Sequence, residues 1–370
     1  MKTKVLFIIP TLMNGGAERV LVNLVNNLDF NIFDVTVKTV MNVGRYRESL
    51  DPRIHYDWIF PSFRRGCRLF FNLFSPKHLY NKYIGDNYNI VVSYLEGMTA
   101  RIISGCNNPN VKIISWIQIE LNTVRDFSIG FRTYKEAIQC YRKFDEIVCV
   151  SKSVKNTFES ISGITNTTKV IYNTNDTRDI LNKKDEDVED FLPNKNEFNI
   201  CSVAKIVKTK GYDRLARIHK RLLEVGVKNH IYIIGTGEEK NNIEAYLKEN
   251  GLTSTFTFLG YKENPYKYIN KCDLYVCSSW REGFSTAVTE ALVIGLPVVS
   301  TNCSGAHELL GENDEYGIVT SNNEDSLYNG IFKILTEDGL LEKYKILAKQ
   351  RAELFSTENT VKSVVQLLLA

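Results

Sequence analysis

Apolar runs and amphipathic stretches alternate along the chain from one end to the other. Short runs rich in Val, Ile and Leu, such as Val5–Ile9, are typical of strands that are buried on both faces of a parallel sheet. Stretches with a helical spacing of apolar residues, such as Glu18–Leu28, lie between these runs. The alternation predicts an α/β fold in which parallel sheets are connected by crossover helices.

The predicted elements form two groups. The first group contains strands at Val5–Ile9, Asp34–Thr39, Asn89–Tyr94, Lys112–Trp116 and Glu146–Ser151, and helices at Glu18–Leu28 and Tyr134–Phe144. The second contains strands at Phe198–Val203, His230–Gly235, Phe256–Leu259 and Cys272–Cys277, and helices at Asp213–Val225, Glu238–Asn250 and Thr286–Ile294. Between the groups, residues from about 173 to 197 are polar and charged without an apolar period, which predicts a linker.

We therefore expect two Rossmann-like domains, residues 1–175 and 176–355, that face each other across a cleft. Open α/β sheets bind ligands outside the carboxyl ends of their strands. A ligand is accordingly expected between the carboxyl ends of the two sheets.

Composition and charge narrow the possible partners. The chain has 370 residues, enough for two domains with separate cores. Its formal net charge of +3 is small and its Lys and Arg residues are scattered, so no nucleic-acid partner is expected. The eight Cys show no Cys-x-x-Cys spacing and most lie in apolar runs, which favours free thiols in a reducing cytoplasm.

The first ten residues resemble a signal peptide only superficially. The apolar run Val5–Ile9 is short, Pro10 ends it, and no small-residue cleavage site follows. No run reaches the roughly 18 apolar residues that a membrane span requires. The sequence predicts a cytoplasmic protein whose membrane contact, if it has any, is peripheral and at the inner face of the membrane.

Two carboxylates eight residues apart are the most informative chemical feature of the chain. Glu282 follows a short apolar strand, and Glu290 lies about one turn into the next predicted helix. Backbone N–H groups at the start of that helix, near Phe284 and Ser285, favour an anion such as a phosphate. One segment thus combines carboxylates that can bind hydroxyl groups with a cradle for a phosphate. A sugar nucleotide presents both kinds of group.

The residues around this pair resemble the signature of the retaining glycosyltransferases of family four, the group 1 glycosyltransferases with the GT-B fold. Arg281–Ala291 carries Glu-Gly-Phe, seven residues between the two Glu, and then Glu-Ala, before a Gly-Leu-Pro-Val-Val strand. The resemblance implies a hexosyltransferase that retains anomeric configuration and uses a nucleoside diphosphate sugar, with a UDP-sugar as the expected donor. It also implies that the last helix, residues from about 356 to 370, packs back on the first domain.

The resemblance gives each domain and each carboxylate a role. The first domain would bind the acceptor and the second the nucleotide sugar. Glu290 would hold the ribose hydroxyls and Glu282 the hydroxyls of the donor sugar. Gly283, Phe284 and Ser285 would lie at the phosphates.

A second segment, Ser202–Asp213, carries the positive charge that a diphosphate requires. Family members show Gly-Arg and then Lys-Gly at this spacing. Here the Lys-Gly pair at Lys210 matches, whereas Lys205 replaces the Arg and loses its bidentate fork. We predict that Lys205 and Lys210 bind the diphosphate and that Lys208 faces solvent. A solvated loop without a ligand is the alternative.

Other candidates are less specific. Gly16 lies in a Gly-Gly turn where a backbone can approach the donor phosphate or the acceptor, and a plain turn is the alternative. Gln118 stands where relatives often carry a His assigned to the donor sugar or the reaction centre, which puts a general base there in doubt. Glu96 and Glu120 are candidate acceptor contacts. Tyr261 lies in the segment where the family recognises the nucleotide base.

The expected reaction is dominated by the loss of an anionic diphosphate from an oxocarbenium-like centre. Stabilising the leaving group is then the main electrostatic task, which we assign to Lys205 and Lys210 as catalytic residues. Glu282 would orient the donor sugar at the same centre. Because no Asp-x-Asp segment lies on a plausible site loop, neither a metal ion nor another cofactor is expected.

The acceptor is indicated only by one segment. Phe63–Phe74 interleaves Arg with aromatic residues, as a membrane-surface segment does, although an ordinary amphipathic stretch packed on the first domain is the alternative. A membrane contact would point to a saccharide or lipid-linked saccharide acceptor in the synthesis of a bacterial-type surface polysaccharide, a capsule or an O-antigen.

The sequence is also compatible with three other functions. A nucleotide-sugar epimerase of the same fold would need additional acid and base groups in the cleft. A dinucleotide oxidoreductase would need a complete Gly-x-Gly-x-x-Gly fingerprint, which is not evident. The substitutions at Gln118 and Lys205 make a non-catalytic scaffold that binds sugar nucleotides a further alternative.

Overall fold

The structure, a computed structural model, describes residues 2–13 and 15–370. Met1 and Asn14, the latter within the segment of the predicted Gly-Gly turn, lie outside the described residues. The chain divides into two compact units, residues 1–174 with 357–370, and residues 175–356. The boundaries expected from the sequence, 175/176 and 355/356, each lie one residue from those of the structure.

The first unit contains one parallel sheet. Within the described residues its seven strands are β1 (Thr3–Ile9), β2 (Phe33–Met41), β3 (His55–Phe60), β4 (Ile90–Ser93), β5 (Lys112–Ile117), β6 (Glu146–Cys149) and β7 (Thr168–Val170). Their order in the sheet is β3-β2-β1-β4-β5-β6-β7. The residues of β1 from Val5 to Ile9 are all fully buried, as expected for a strand covered on both faces.

Seven helices cover this sheet within the described part of residues 1–174: α1 (Gly16–Asn26), α2 (Cys67–Asn72), α3 (Pro76–Tyr83), α4 (Met98–Ile103), α5 (Val124–Phe127), α6 (Tyr134–Tyr141) and α7 (Lys152–Ser162). The last helix of the chain, Thr357–Leu369, belongs to the same unit. Lys112 of β5 donates a hydrogen bond of 2.7 Å to the carbonyl of Leu367 in that helix.

The second unit also contains one parallel sheet with connecting helices. Its strands are β8 (Phe198–Val203), β9 (Asn229–Ile234), β10 (Phe256–Gly260), β11 (Leu274–Cys277), β12 (Val298–Thr301) and β13 (Ile318–Thr320), which form a parallel sheet of order β10-β9-β8-β11-β12-β13. Its helices are α8 (Thr177–Lys183), α9 (Tyr212–Glu224), α10 (Lys240–Glu249), α11 (Tyr266–Ile269), α12 (Thr286–Ile294), α13 (Ala306–Leu310), α14 (Glu324–Thr336) and α15 (Leu340–Ala352). Both units are Rossmann-like, which confirms the predicted α/β class with two such domains.

Several elements were not predicted from the sequence, and α8 and β3 show the physical reasons. The supposed linker contains α8, in which the Asp176 side chain accepts a hydrogen bond from the N–H of Asp179 and Ile180 is buried. With so few apolar residues the helix shows no period, and it is stabilised by packing on α11 and α12. The strand β3 lies at the edge of its sheet, so its residues are partly exposed and lack a continuous apolar run.

No helix among the described residues is long and apolar enough to span a membrane.

His219 on α9 is a structural residue of the second core. It is fully buried, with Nδ1 2.7 Å from Asn229 Oδ1 and Nε2 2.9 Å from Thr255 Oγ1. Burial lowers the pKa of His219 from 6.5 to about 4. The fold therefore favours the neutral imidazole, and the resulting stability is complete above pH 6.5 and is lost as the pH falls towards 4.

We expect this group alone to reduce the free energy of unfolding by about 3 kcal/mol between pH 7 and pH 4. Urea unfolding of the full chain at several pH values would show a His219→Gln variant losing that much less stability than the wild type. His55→Gln, at an exposed histidine of β3, is the control. Identical pH dependence of wild type and His219→Gln would contradict the assignment.

Candidate functional site

The second sheet reverses its strand order between β8 and β11. From β8 the chain continues to β9 and β10 on one side, and from β11 to β12 and β13 on the other. The loops that follow β8 and β11, residues 204–211 and 278–285, therefore leave the same edge of the sheet at this reversal. In open α/β sheets such a point is where ligands bind. Lys205, Lys210 and Glu282 all lie on these two loops.

Lys210 and Glu282 form an ion pair between the two loops. The distance from Lys210 Nζ to Glu282 Oε1 is 2.6 Å, and the side chains are only 23% and 14% exposed. Ser279 Oγ donates a second hydrogen bond of 2.6 Å to the same Glu282 oxygen. Burial disfavours the charged ammonium, but the charge and hydrogen bond of Glu282 outweigh it and raise the pKa of Lys210. Lys210 is therefore charged at neutral pH.

The pair keeps capacity for further partners. No described residue donates a hydrogen bond to Glu282 Oε2, and Lys210 Nζ has no other acceptor among the described residues. A carboxylate oxygen accepts hydroxyl groups, and an ammonium group has more N–H donors than this one bond uses. The arrangement can therefore bind a hydroxyl group and an anionic oxygen side by side.

Backbone contacts hold the two loops together. The N–H of Trp280 donates to the carbonyl of Thr209 at 2.8 Å, and Ser278 Oγ donates to the carbonyl of Lys210 at 2.8 Å. Gly211 has a φ of +65°, and a Cβ atom there would collide with the Ser278 carbonyl. Glycine thus allows both the left-handed turn and the close approach of the loops.

Arg214, for which no role at the site is predicted from the sequence, lies beneath these loops. This residue of α9 is fully buried and donates hydrogen bonds to the carbonyls of Ser278 and Ser279 and to Asn322 Oδ1. Its position, four residues after Lys210, was the only signal in the sequence. A single charged residue at the start of an amphipathic helix normally faces solvent, so that signal was too weak to use.

The loop that carries Lys205 packs on the glycine turn after β9. The N–H of Ile206 donates to the carbonyl of Thr236 at 2.9 Å, and Cβ atoms at Gly235 and Gly237 would collide with Ala204 and Ile206. The Lys205 side chain is exposed and, within the described part of the chain, its ammonium group has no hydrogen-bond or ion-pair partner. It is available to an incoming anion, but the structure does not bring it into contact with Lys210.

The start of α12 presents backbone rather than side chains. The Ser285 hydroxyl caps the helix by accepting a hydrogen bond of 3.4 Å from the N–H of Val288. The Phe284 ring is buried 5.6 Å from the ring of Phe355, so only its main chain can face a ligand. Gly283 precedes it in the same loop. These features leave a phosphate role for the main chain here as a prediction.

Glu290 lies at the fifth position of α12 and is only 3% exposed. The helix packs against α8, α11 and α15 and is buried from Val288 to Ile294. A carboxylate in so apolar a helix requires hydrogen-bonding or charged partners. Its predicted contact with a ribose remains a prediction.

Tyr261 is separated from the ion pair. It follows β10, the edge strand, which is two strands from β8 in the sheet. The side chain is half exposed. Its predicted place at the nucleotide base is therefore at the outer side of the candidate site.

In the first sheet, the order reverses between β1 and β4, and Glu96 and Gln118 lie beyond β4 and β5. The backbone N–H of Gln118 donates to Glu96 Oε2 at 3.0 Å, and burial raises the pKa of Glu96. The Gln118 side chain is buried, and its Nε2 has no hydrogen-bond partner among the described residues. A buried, unused donor is costly, so this amide is poised for an external acceptor oxygen.

Gly16 is the first residue of α1, but a carboxylate already occupies this helix end. Glu18 Oε1 lies 3.5 Å from Thr11 Oγ1, and a Cβ atom at Gly15 would collide with the Glu18 carboxylate. That negative charge competes with a phosphate for the helix dipole. Whether the donor phosphate or the acceptor approaches Gly16 stays a prediction. Glu120 accepts a hydrogen bond from the Ser153 hydroxyl near the start of α7.

No group of His, Cys, Asp and Glu side chains in residues 2–13 and 15–370 is arranged to hold a metal ion. The expectation that the reaction needs no metal stays a prediction.

Comparison with known proteins places this geometry in a family. The family described as "Glycosyl transferases group 1" matches residues 183–351. An N-acetylgalactosamine-N,N'-diacetylbacillosaminyl-diphospho-undecaprenol 4-alpha-N-acetylgalactosaminyltransferase of Campylobacter jejuni is 31% identical over 288 residues, which are 76% of this chain and 73% of the relative. The capsular polysaccharide biosynthesis glycosyltransferase CapM of Staphylococcus aureus is 27% identical over 46% of this chain and 45% of its own length.

The fold matches solved structures over the whole chain. The crystal structure of Anabaena HepE in complex with UDP and glucose covers 100% of both chains with a TM-score of 0.78 at 18% identity. The chain belongs to the group 1 glycosyltransferases. It is an enzyme of the transferase class with the GT-B fold, so the resemblance drawn from the sequence is confirmed.

The close approach at Gly211 leads to a prediction with a matched control. Gly251 has nearly the same φ, +68°, but open space around its Cα, whereas Gly211 faces the Ser278 carbonyl. Both Gly→Ala variants should lose roughly 1–2 kcal/mol through the left-handed backbone. Gly211→Ala should lose about 1–3 kcal/mol more, because the two loops must separate.

Chemical denaturation of the two variants would measure this difference. Equal destabilisation would show that the Gly211 backbone does not set the spacing between the loops.

Proposed function

We propose that the chain moves a sugar, with retention of anomeric configuration, from a UDP-sugar to a saccharide or lipid-linked saccharide acceptor in the synthesis of a bacterial-type surface polysaccharide. The observation that carries the proposal is the Lys210–Glu282 ion pair at the reversal of the second sheet. It combines a cation for a diphosphate with a carboxylate for sugar hydroxyls. A nucleoside diphosphate sugar carries both a diphosphate and sugar hydroxyl groups, and the two lie close together.

The names of the relatives support the choice of donor and acceptor. HepE was crystallised with UDP and glucose. The Campylobacter relative is named for transfer to a saccharide on diphospho-undecaprenol through an α linkage. An α product from an α-configured UDP-sugar is the result of retention. Relatives named for capsule and O-antigen synthesis support a surface polysaccharide as the product.

In the proposed reaction, Lys210 stabilises the charge that develops on the departing diphosphate. Lys205, exposed on the same loop, adds a second positive charge when the donor is bound. Both act at the atoms where charge increases, so they lower the barrier more than they strengthen donor binding. Glu282 accepts hydrogen bonds from the donor sugar through its unused Oε2 and fixes the orientation of the anomeric carbon.

Main-chain N–H groups near Gly283, Phe284 and Ser285 bind the phosphates at the start of α12, and Glu290 holds the ribose. Tyr261 lies beside the base. The leaving group is thus held along the carboxyl edge of one sheet, without a metal ion or other cofactor.

The first unit is proposed to bind the acceptor. Gln118 Nε2 donates a hydrogen bond to an oxygen of a sugar, and Glu96 accepts one from a hydroxyl group. Together, an unused amide donor and a carboxylate can bind both the acceptor oxygens and the hydroxyl donors of a saccharide. Gly16 allows the acceptor to approach the backbone.

Thermal-shift screening separates this function from its alternatives. The panel contains UDP-glucose, UDP-galactose and their N-acetyl derivatives, with the corresponding ADP- and GDP-sugars as controls. A UDP-sugar that is bound and transferred to an acceptor supports the proposal. Epimerisation without an acceptor would indicate the nucleotide-sugar epimerase, and binding without turnover with any acceptor the non-catalytic scaffold.

Membrane contact is part of the proposal, and α2 with its preceding loop supports it. On one side Phe71 is buried among aromatic rings, 5.7 Å from Phe60. On the other side Leu69 and Leu73 are 67% and 75% exposed, beside Arg64, Arg65 and Arg68. The segment packs on its own unit and also presents an apolar and basic outer face. That combination binds anionic lipid surfaces.

The end of α2 is fixed from within the unit. Arg101, buried beside Glu136, donates to the carbonyls of Phe71 and Phe74, and Arg132 donates to the carbonyl of Asn72. The exposed leucines are therefore held in place before any contact with lipid. We propose that this segment attaches the enzyme peripherally to the cytoplasmic face of the membrane.

Kinetics of site variants test the chemistry. Lys210→Ala should lower kcat more than it weakens donor binding, by roughly 2.7–4 kcal/mol, because the diphosphate gains charge in the transition state. Glu290→Ala should instead weaken UDP binding, because ribose contacts are similar in ground and transition states. Both effects should persist in EDTA. Transfer rates and calorimetric titration with UDP measure them.

Lys208→Ala is the matched control, since Lys208 is exposed two residues before Lys210 in the same turn. Full activity of Lys210→Ala or Glu290→Ala, or loss of activity in EDTA, would refute this assignment of the site.

Vesicle binding tests the membrane segment. The triple variant Arg64→Ser, Arg65→Ser and Arg68→Ser should lose most binding to phosphatidylglycerol vesicles, because each basic residue contributes on the order of 1 kcal/mol at an anionic surface. Wild-type binding should weaken with salt. The control replaces three exposed lysines of the second unit, Lys195, Lys228 and Lys248. Co-sedimentation that is unchanged in the arginine variant would exclude the segment as the membrane contact.

A further inference from the structure

Arg214 is an arginine buried without a counter-ion. No described Asp or Glu lies in ion-pair distance of its guanidinium group, and burial lowers the pKa of this arginine. Such a group is costly to bury and is normally retained only when hydrogen bonds satisfy it. The identity of its acceptors therefore indicates what the charge is used for.

The acceptors lie on the loop that leads to Glu282. Nε and Nη2 of Arg214 donate to the carbonyl of Ser278 at 2.9 and 2.5 Å, and Nη2 also donates to the carbonyl of Ser279 at 2.8 Å. Ser279 in turn donates its hydroxyl to Glu282. The guanidinium thus holds the main chain from which the Glu282 carboxylate is oriented.

Arg214 also contacts Trp280 and Asn322. Its Cζ lies 3.8 Å from the centre of the Trp280 ring, and Nη1 donates to Asn322 Oδ1 at 2.9 Å. Asn322 Nδ2 donates to the carbonyl of Trp280 at 3.0 Å. Three successive residues, Ser278 to Trp280, are therefore bound through Arg214 or its partner Asn322. The planar fork of arginine matches these carbonyls in a way that lysine cannot.

The same residue is close to Lys210 along the chain. Gly211 and the first turn of α9 connect the two, and the Ser278 carbonyl bound by Arg214 is the atom that approaches Gly211. A small rotation of Arg214 would therefore move both partners of the Lys210–Glu282 pair.

We propose that Arg214 is a positioning residue for sugar transfer, which sets the distance and orientation of Glu282 relative to Lys210 through the carbonyls of Ser278 and Ser279. The inference rests on the proposed function of that pair. Arg214 touches neither substrate, and its contribution passes through Glu282.

The test compares Arg214→Lys and Asn322→Ala with the control Arg217→Lys, one turn along α9 and paired with Glu324. Asn322 is only partly buried. Its variant therefore tests the same contacts between Arg214 and residues 278–280 if Arg214→Lys does not fold. The readouts are kcat and KM for the UDP-sugar selected by thermal shift, followed as UDP release. Hydrogen exchange of the peptide 278–285 is measured without any ligand.

Arg214→Lys should lower kcat about 10- to 100-fold with a smaller change in KM, since a misplaced catalytic group costs rate rather than binding. Asn322→Ala should act in the same direction. Exchange should increase in 278–285 but not in β9, and Arg217→Lys should match the wild type. In a Glu282→Gln background, the effect of Arg214→Lys on kcat should shrink to about threefold or less, because coupled residues are not additive.

An undiminished effect in the Glu282→Gln background, or faster exchange throughout the second unit, would show a merely structural role and overturn the proposal. Full activity of Lys210→Ala and Glu282→Gln themselves would overturn the proposed function and the positioning role together. Loss of activity in those two variants, with wild-type kinetics in Arg214→Lys and Asn322→Ala, would remove only the positioning role.

Discussion

The attraction between the Lys210 ammonium and the Glu282 carboxylate is the interaction on which the candidate site depends. The two groups are 72 residues apart in the chain and 2.6 Å apart in space. Partial burial strengthens the attraction, but it also makes either charge costly without the other. The pair therefore requires loops whose positions are fixed before a substrate arrives.

That requirement explains the unusual neighbours of the pair. The main chain of Thr209 and Lys210 is tied to Trp280 and Ser278, and Gly211 is the residue that permits this spacing. Beneath them, Arg214 is buried with its charge directed at backbone carbonyls. The cost of burying polar groups is offset by hydrogen bonds, and the result is a preorganised site of the kind that transfer chemistry requires.

The two units have similar topologies but carry different chemical groups where the strand order of each sheet reverses. In the second unit the reversal of the sheet carries charges suited to a diphosphate. In the first, the corresponding region carries a half-buried carboxylate, an unused amide donor and a helix end already occupied by Glu18. In the proposed function, the first unit therefore receives neutral hydroxyl groups rather than an anion in this region. Its outer segment around α2 adds an apolar and basic face.

The sequence by itself determined the α/β class, the two repeats and the residue types of the site. Buried parallel strands such as β1 must be continuously apolar, and the Glu282 and Glu290 motif is local in the chain. Elements whose stability comes from packing, such as α8, or that lie at a sheet edge, such as β3, left no periodic signal.

Only the tertiary structure decided which of these residues meet. Lys210 and Glu282 were identified separately, one for a phosphate and one for a sugar, yet they bind each other because β8 and β11 are neighbours in the sheet. Lys205, on the same loop as Lys210, stays exposed. Arg214 gave no usable signal, since the burial of a charge depends on carbonyls that come from another strand. Strand order, and not local sequence, sets such contacts.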